Sequence, residues 1–160
     1  MKPEVKLLIV DDHPVFRRGL REIIEENPGF RIVGEASDGE AALRLVAELK
    51  PGIAVVDIDM PRLSGLDMMR ALQKKQLPVA VVFLTMYKEE DMFNAAMDLG
   101  VKAYVLKENA ADEIFSALEK VALGRVVQLI EFFQVDVEVE VHLDWLIGTT
   151  TFAKAVHIVL

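Results

Sequence analysis

Five short apolar runs alternate with five amphipathic segments between residues 5 and 124, and this alternation constrains the fold more than any other feature of the chain. The runs at 5–10, 30–36, 53–56, 79–84 and 102–106 are rich in Val, Ile and Leu. They are too short for helices and read as strands, the third of them buried on both faces. Between them, apolar residues recur at helical spacing: Phe16, Leu20, Ile23 and Ile24 after Pro14; Ala41, Ala42, Leu45, Val46 and Leu49; Met68, Met69 and Leu72. The pattern continues over 88–99 and again at Ile114, Leu118, Val121 and Ala122. Ser37 and Glu40 have capping-box spacing, Ser64-Gly65 reads as a helix start, and Asn109 to Asp112 as a cap. Asn27-Pro28-Gly29, Gly100 and Gly124 read as stops. Parallel strands require such crossovers, so the order predicts an α/β fold: a doubly wound, five-stranded parallel sheet.

In such a sheet the carboxyl ends of the strands share one edge, where ligands bind. The first run ends in Asp11-Asp12, the third in Asp57, the fourth in Thr85 and the fifth in Lys107. Taken alone, Asp57 is a strand-ending acid that meets water, with Met60-Pro61 closing the strand. Three carboxylates, a hydroxyl and an ammonium at one edge suggest chemistry instead. Crowded carboxylates call for a cation, and Mg²⁺ takes oxygen ligands from a few carboxylates while keeping several waters. Asp57 then has the makings of a nucleophile toward a phosphoryl group, with Lys107 as a mobile positive charge and Thr85 as a hydroxyl donor.

These residues resemble a response-regulator receiver domain of two-component signalling, a CheY-like, flavodoxin-like fold. The likeness covers residues 4 to about 124 and is carried by Asp11-Asp12, Asp57 in Val-Val-Asp-Ile-Asp-Met-Pro, Gly65, Thr85, Tyr104 and Lys107. The stretch Asp-Asp-His-Pro-Val-Phe-Arg-Arg-Gly-Leu is similar to the subfamily with LuxR/NarL-type helix-turn-helix outputs. The resemblance implies that Asp57 accepts phosphate from a sensor histidine kinase. It implies that Asp11, Asp12, Asp57 and the backbone carbonyl of Asp59 hold Mg²⁺. Thr85 and Tyr104 would act as the switch, remodelling the surface of the fourth helix, fifth strand and fifth helix. Each has a plainer rival: Tyr104 as a packed aromatic, Gly65 as a tight turn, His13 as a helix-start residue and Met68-Met69 as core. Where the family often has proline after the lysine, this chain has Glu108, which weakens the expectation of a cis bond there.

Residues 1–124 thus read as one receiver domain and 125–160 as an atypical tail. The tail holds Arg125 and Lys154 against Glu131, Asp136, Glu138, Glu140 and Asp144, so it lacks the basic footprint of a helix-turn-helix reader. Residues 135–145 alternate apolar and polar, Gly148-Thr-Thr is a turn, and 152–160 can return as a partner strand. A hairpin with an uncovered face suggests pairing between copies; the rival is a segment with no evolved role. The expected partners are a sensor kinase and a second copy, through the tail or the surface of the fourth helix, fifth strand and fifth helix. DNA enters only if an output domain lies outside this chain.

The net charge of −8 opposes non-specific binding to a phosphate backbone. The chain has no cysteine, no signal-peptide core and no apolar run of membrane-spanning length, which points to the cytoplasm. A different class is a Mg²⁺-dependent phosphohydrolase of the haloacid-dehalogenase kind, since Asp57-Ile-Asp59 has its Asp-x-Asp spacing. Against it, Pro61 follows Met60, the motif is not on the first strand, and Asp11-Asp12 would have no purpose. A third is a receiver-only interaction module; the intact acidic set argues against it. The leading reading is a signalling switch that catalyses only its own phosphorylation and hydrolysis.

Overall fold

The computed structural model describes residues 4–124. The sequence-based hairpin at 135–160 and the tail boundary lie outside those residues. Strands β1 (Val5–Val10), β2 (Phe30–Ala36), β3 (Ile53–Asp57), β4 (Ala80–Thr85) and β5 (Ala103–Leu106) form one parallel sheet in the order β2-β1-β3-β4-β5. Helices α1 (Pro14–Glu25), α2 (Gly39–Leu49), α3 (Gly65–Lys74), α4 (Glu90–Asp98) and α5 (Ala110–Ala122) make the crossovers. The expected doubly wound sheet is therefore present. Its strand order reverses direction between β1 and β3, which opens a crevice at their carboxyl ends.

Side chains alternate between the two faces of a strand. On one face Leu7, Ile9, Ile53, Val55, Val82, Leu84, Ala103 and Val105 pack with Leu20 and Ile24 of α1 and Ile114, Ala117, Leu118 and Val121 of α5. The alternate residues Leu8, Val10, Ala54, Val56, Val81, Phe83 and Tyr104 are also buried. All five residues of β3 are buried, Asp57 included. Each such apolar side chain contributes about 1.5–3 kcal/mol on leaving water, which outweighs the cost of carrying one carboxylate at the strand's end.

Four local expectations need correction. The α2 cap is Asp38 rather than Ser37: its backbone is extended and its carboxylate accepts the Ala41 N–H. Helix α4 starts at Glu90, not Lys88; Lys88 lies before the helix and pairs with Glu108 at 2.6 Å. Asn109 stands at the α5 start without capping it; a 3₁₀ turn over Lys107–Asn109 feeds the helix, and the Asn109 amide donates to Glu113 at 3.0 Å. Ala122 is exposed, since the buried stripe of α5 ends with Val121. All peptide bonds of the described residues are trans, that after Lys107 included.

Asp38 also joins α2 to the loop after β3, through an ion pair with Arg62, a residue in the left-handed conformation at φ 65°. The Ala41 N–H and the Arg62 guanidinium hold the Asp38 carboxyl below its ordinary value of 3.8. A depressed carboxyl pKa gives stability that is present above the unfolded value and lost as pH falls through the folded one. Asp38→Ala is expected to cost about 1–2 kcal/mol at pH 7, from the lost cap and the lost partner of Arg62. Urea denaturation should show the deficit closing as the pH falls below about 4. A deficit that is unchanged at low pH would contradict this account.

Candidate functional site

The site is built at the crevice between β1 and β3. Val10 pairs with Val56, so the residues that follow them, Asp11 and Asp57, emerge side by side. Asp57 pairs with Leu84 and Thr85 with Leu106, which brings the ends of β4 and β5 alongside. Asp11 is 2% exposed, Asp57 4% and Thr85 0%. The Lys107 ammonium donates to Asp57 Oδ2 at 2.9 Å and forms an ion pair with Asp11 Oδ2 at 2.7 Å. It also lies 4.6 Å from the centroid of the Phe16 ring.

The electrostatics follow from burial. Burial pushes the Asp57 carboxyl above its ordinary value, although the Lys107 ammonium pulls the other way. For Lys107 burial works against the charged form, but its bonds to Asp11 and Asp57 more than offset this and hold its pKa up. Asp57 Oδ1 accepts the Asp59 backbone N–H at 3.3 Å. The Asp59 carboxylate is exposed and accepts from the Tyr87 hydroxyl at 3.2 Å.

Not every expected residue touches the phosphoacceptor candidate. The Thr85 hydroxyl accepts the Tyr87 N–H at 3.0 Å, and so ties down the loop after β4. Tyr104 is fully buried; its hydroxyl donates to the Tyr87 carbonyl at 3.0 Å and its ring meets Phe93 edge-on at 5.3 Å. Burial pushes its phenol up to about 12. Tyr104 is thus both a packed aromatic and a tether of the loop that Thr85 holds. Gly65 is not a turn residue: its φ is not positive, and a Cβ there would lie 2.7 Å from the Asp57 carbonyl oxygen.

Three contributors are not visible in spacing alone. His13 occupies the α1 start, as a helix-start residue should, but its ring also turns back to the acids. His13 Nδ1 is 2.9 Å from Asp12 Oδ1, 3.2 Å from Asp11 Oδ1 and 3.9 Å from Asp57 Oδ2. Arg17 donates to the Asp11 carbonyl at 2.6 Å while its Nε holds Glu35 at 2.9 Å. Tyr87, with its reach to Asp59, is the third. The only signals were the position of His13 directly after the acidic pair Asp11-Asp12 and helical phase for Arg17.

One donor atom from each of Asp11, Asp12, His13 and Asp57 lies within 4.8 Å of the others. Asp11 Oδ2 and Asp12 Oδ1 are buried, with only the ion pairs to Lys107 and His13 against them. Crowded, buried carboxylate oxygens suit a hard divalent cation, so these residues fit a Mg²⁺ site.

A sequence profile described as the response regulator receiver domain matches residues 7–119. The chain is 38% identical over 122 residues to the transcriptional regulatory protein YdfI of Bacillus subtilis, covering 76% of this chain and 57% of that one. It is 32% identical over 121 residues to the nitrate/nitrite response regulator NarL of Escherichia coli K12, covering 76% and 56%. Among solved structures, the receiver domain of the response regulator NarL from Mycobacterium tuberculosis is similar at 32% identity. Its TM-score is 0.73, and the match covers 77% of this chain and 99% of that one. The chain belongs to the response regulator receiver domain family and is a two-component response regulator receiver, with NarL/LuxR-family relatives. It spans little more than half the length of the curated relatives it matches. Those relatives are response regulators rather than classical enzymes, which displaces the phosphohydrolase reading. Among the described residues, no helix is long and apolar enough to cross a membrane.

Proposed function

We propose that Asp57 is the phosphoacceptor of this receiver, and that its phosphorylation by a sensor histidine kinase switches the surface formed by α4, β5 and α5. The observation that carries this reading is one ammonium, Lys107, shared by two buried carboxylates at the ends of separate strands. Asp57 has a strand behind it and the crevice in front of it. In the transfer, a carboxylate oxygen of Asp57 forms a bond to phosphorus as the bond from phosphorus to the donor's leaving nitrogen breaks. Lys107 is placed to follow the new charge from the carboxylate to the phosphoryl oxygens. Asp11, Asp12, Asp57 and the Asp59 carbonyl would hold Mg²⁺, which when bound neutralises phosphoryl charge.

The switch runs through Thr85. Its hydroxyl binds the Tyr87 N–H, and Tyr104 binds the Tyr87 carbonyl. Drawing Thr85 toward a phosphoryl oxygen breaks the first of these bonds and frees the loop that Tyr104 holds. That is a local charge event biasing a two-state element. In this reading the receiver occupies 1–124, and a second copy pairs through residues 125–160 or through the surface of α4, β5 and α5. Control of transcription, through an output domain outside these residues, is the function proposed for the whole protein, which works in the cytoplasm.

Acetyl phosphate with Mg²⁺ should label the protein at one site, and Asp57→Asn should abolish the label while leaving the folded far-UV spectrum intact. Asp59→Asn should still take the label. Label that persists in the Asp57 variant would refute the assignment.

A further inference from the structure

We propose that Arg17, bracketed by Glu35, is a positioning residue for phosphoryl transfer: it fixes the peptide between Asp11 and Asp12, and with it the two acids that β1 delivers to the pocket. The proposal rests on the reading of those acids as ligands of a divalent ion and adds what holds them in place.

The sheet stops just short of this peptide. Val10 is the last residue of β1 to pair with β3, and the Asp11 N–H donates to the Ala36 carbonyl at the end of β2, at 3.0 Å. The Asp11 carbonyl lies beyond the paired residues. A peptide unit is planar, so its carbonyl oxygen and the two Cα atoms that flank it move as one body. Here those are the Cα atoms of Asp11 and Asp12. Holding the oxygen therefore sets the plane from which both carboxylates project. Arg17 Nη1 donates to that oxygen at 2.6 Å.

The guanidinium is itself fixed from the other side. Its Nε donates to Glu35 Oε2 at 2.9 Å, and Arg21, one turn further along α1, donates from its Nε to Glu35 Oε1 at 2.6 Å. Glu35 lies on β2, in register with Ile9 of β1. The fork thus spans a helix and a strand, and its rigid, planar set of donors suits two acceptors in different directions. Arg18 supplies the contrast. It is 82% exposed and pairs at 3.6 Å with Glu22 of its own helix, whereas the Arg17 side chain is 20% exposed.

Charge alone predicts the opposite result from positioning. A cation beside an acidic pocket repels a divalent ion, so its removal should tighten Mg²⁺ binding. Removal of a group that orients the ligands weakens binding, typically by about 10- to 100-fold. The sign of the change separates the two roles.

The test is calorimetric titration of the full chain with Mg²⁺, for the wild type, Arg17→Met, Arg21→Met, Glu35→Ala and the Arg17→Met/Glu35→Ala double variant. Arg17→Met should weaken Mg²⁺ about tenfold. Arg21→Met cuts a bond to Glu35 but not the bond to Asp11; it should lower stability to urea and leave Mg²⁺ affinity within about twofold. Glu35→Ala should weaken Mg²⁺ by itself, yet add less than about twofold once Arg17 is gone. In labelling by acetyl phosphate, Arg17→Met should raise the half-saturating Mg²⁺ concentration about tenfold while the rate at saturating Mg²⁺ changes by less than about threefold. Arg17→Lys keeps the charge beside Glu35 but has one nitrogen for two acceptors, and should weaken Mg²⁺ at least about threefold; it decides the matter if the methionine variant does not fold. Mg²⁺ affinity that is unchanged or tighter on loss of the fork, or an equal loss in Arg21→Met, would overturn the role of Arg17 and leave the cation pocket standing. Failure of the wild type to bind Mg²⁺ would overturn the pocket reading, and this proposal with it.

Discussion

Replacing Lys107 by methionine will lower the unfolding free energy by about 3–5 kcal/mol at pH 7 without divalent cation, the usual cost of removing one partner of a buried ion pair. Methionine keeps an unbranched apolar stem and removes the ammonium, together with its cation–π contact to Phe16, so the loss reports chiefly charge. Asp11 and Asp57 are then left facing each other, 2% and 4% exposed, with no ammonium between them. The deficit must also depend on pH. Burial already raises the Asp57 pKa in the folded protein, and losing the cation raises it further. A carboxyl that binds its proton more tightly when folded loses stability as pH rises through the window above its unfolded value. Stability lost at pH 7 should therefore return as the pH falls toward the unfolded carboxyl value of 3.8 and Asp57 takes up its proton. In the wild type, Lys107 has a raised pKa, so its contribution is complete below the unfolded value of 10.5 and disappears only as pH rises through the folded one. Urea denaturation at several pH values measures both. A loss under about 1 kcal/mol, or one that does not shrink on acidification, would mean that the ammonium is not what holds the two carboxylates together.

The outline of this pocket was readable because parallel strands bury both faces. That makes each strand an apolar run whose first polar residue marks where it surfaces, and parallel topology sends all those residues to one edge. Asp11, Asp57, Thr85 and Lys107 follow from that logic alone. What was not readable is set by turns and by long side chains. The fold of the His13 ring depends on a single carboxylate oxygen capturing its own backbone N–H, a two-residue event that leaves no period in the sequence. Arg17 reaches the Asp11 carbonyl while Glu35, on a different element, accepts from its Nε. Arg17 and Arg21 in turn hold the Glu35 carboxyl below its ordinary value, against the pull of burial.

Helix ends were misplaced for the same reason. Ser37 and Asp38 are both residue types that favour a cap position, and Arg62, whose ion pair goes with Asp38, lies far along the chain. Lys88 fits a helical pattern, but the loop it occupies is held by three bonds: Tyr87 N–H to Thr85, Tyr104 to the Tyr87 carbonyl, and Lys88 to Glu108. Periodicity reports burial on one element. It does not report the competition between elements for a polar side chain, which decides these positions.

The second large effect is expected at Gly65, where an added methyl group should act on the phosphoacceptor from behind. Gly65 opens α3, and its N–H donates to the Ile58 carbonyl at 2.8 Å, which presses the helix start against the end of β3. A Cβ would meet the Asp57 carbonyl oxygen at 2.7 Å, the Ile58 Cα at 2.9 Å and the Phe83 ring at 3.2 Å. Two of these are backbone atoms, which cannot rotate away. Because φ is not positive, alanine meets no conformational penalty and gains the usual helical preference of about 1 kcal/mol. The clash must exceed that gain, and overpacking typically does, so Gly65→Ala should lose about 2 kcal/mol net. Gly19 supplies the contrast: it is also helical, nothing lies within 4 Å of its Cβ position, and Gly19→Ala should gain about 1 kcal/mol. Relief of the clash moves Asp57 relative to Lys107, so phosphoryl uptake from acetyl phosphate should slow by roughly a hundredfold in the Gly65 variant alone. Were the two alanine variants to match in stability and labelling rate, the close approach of α3 to the Asp57 backbone would not be what sets the carboxylate in place. Opposite signs from one chemical change at two glycines would instead trace the position of the acceptor to the space behind it.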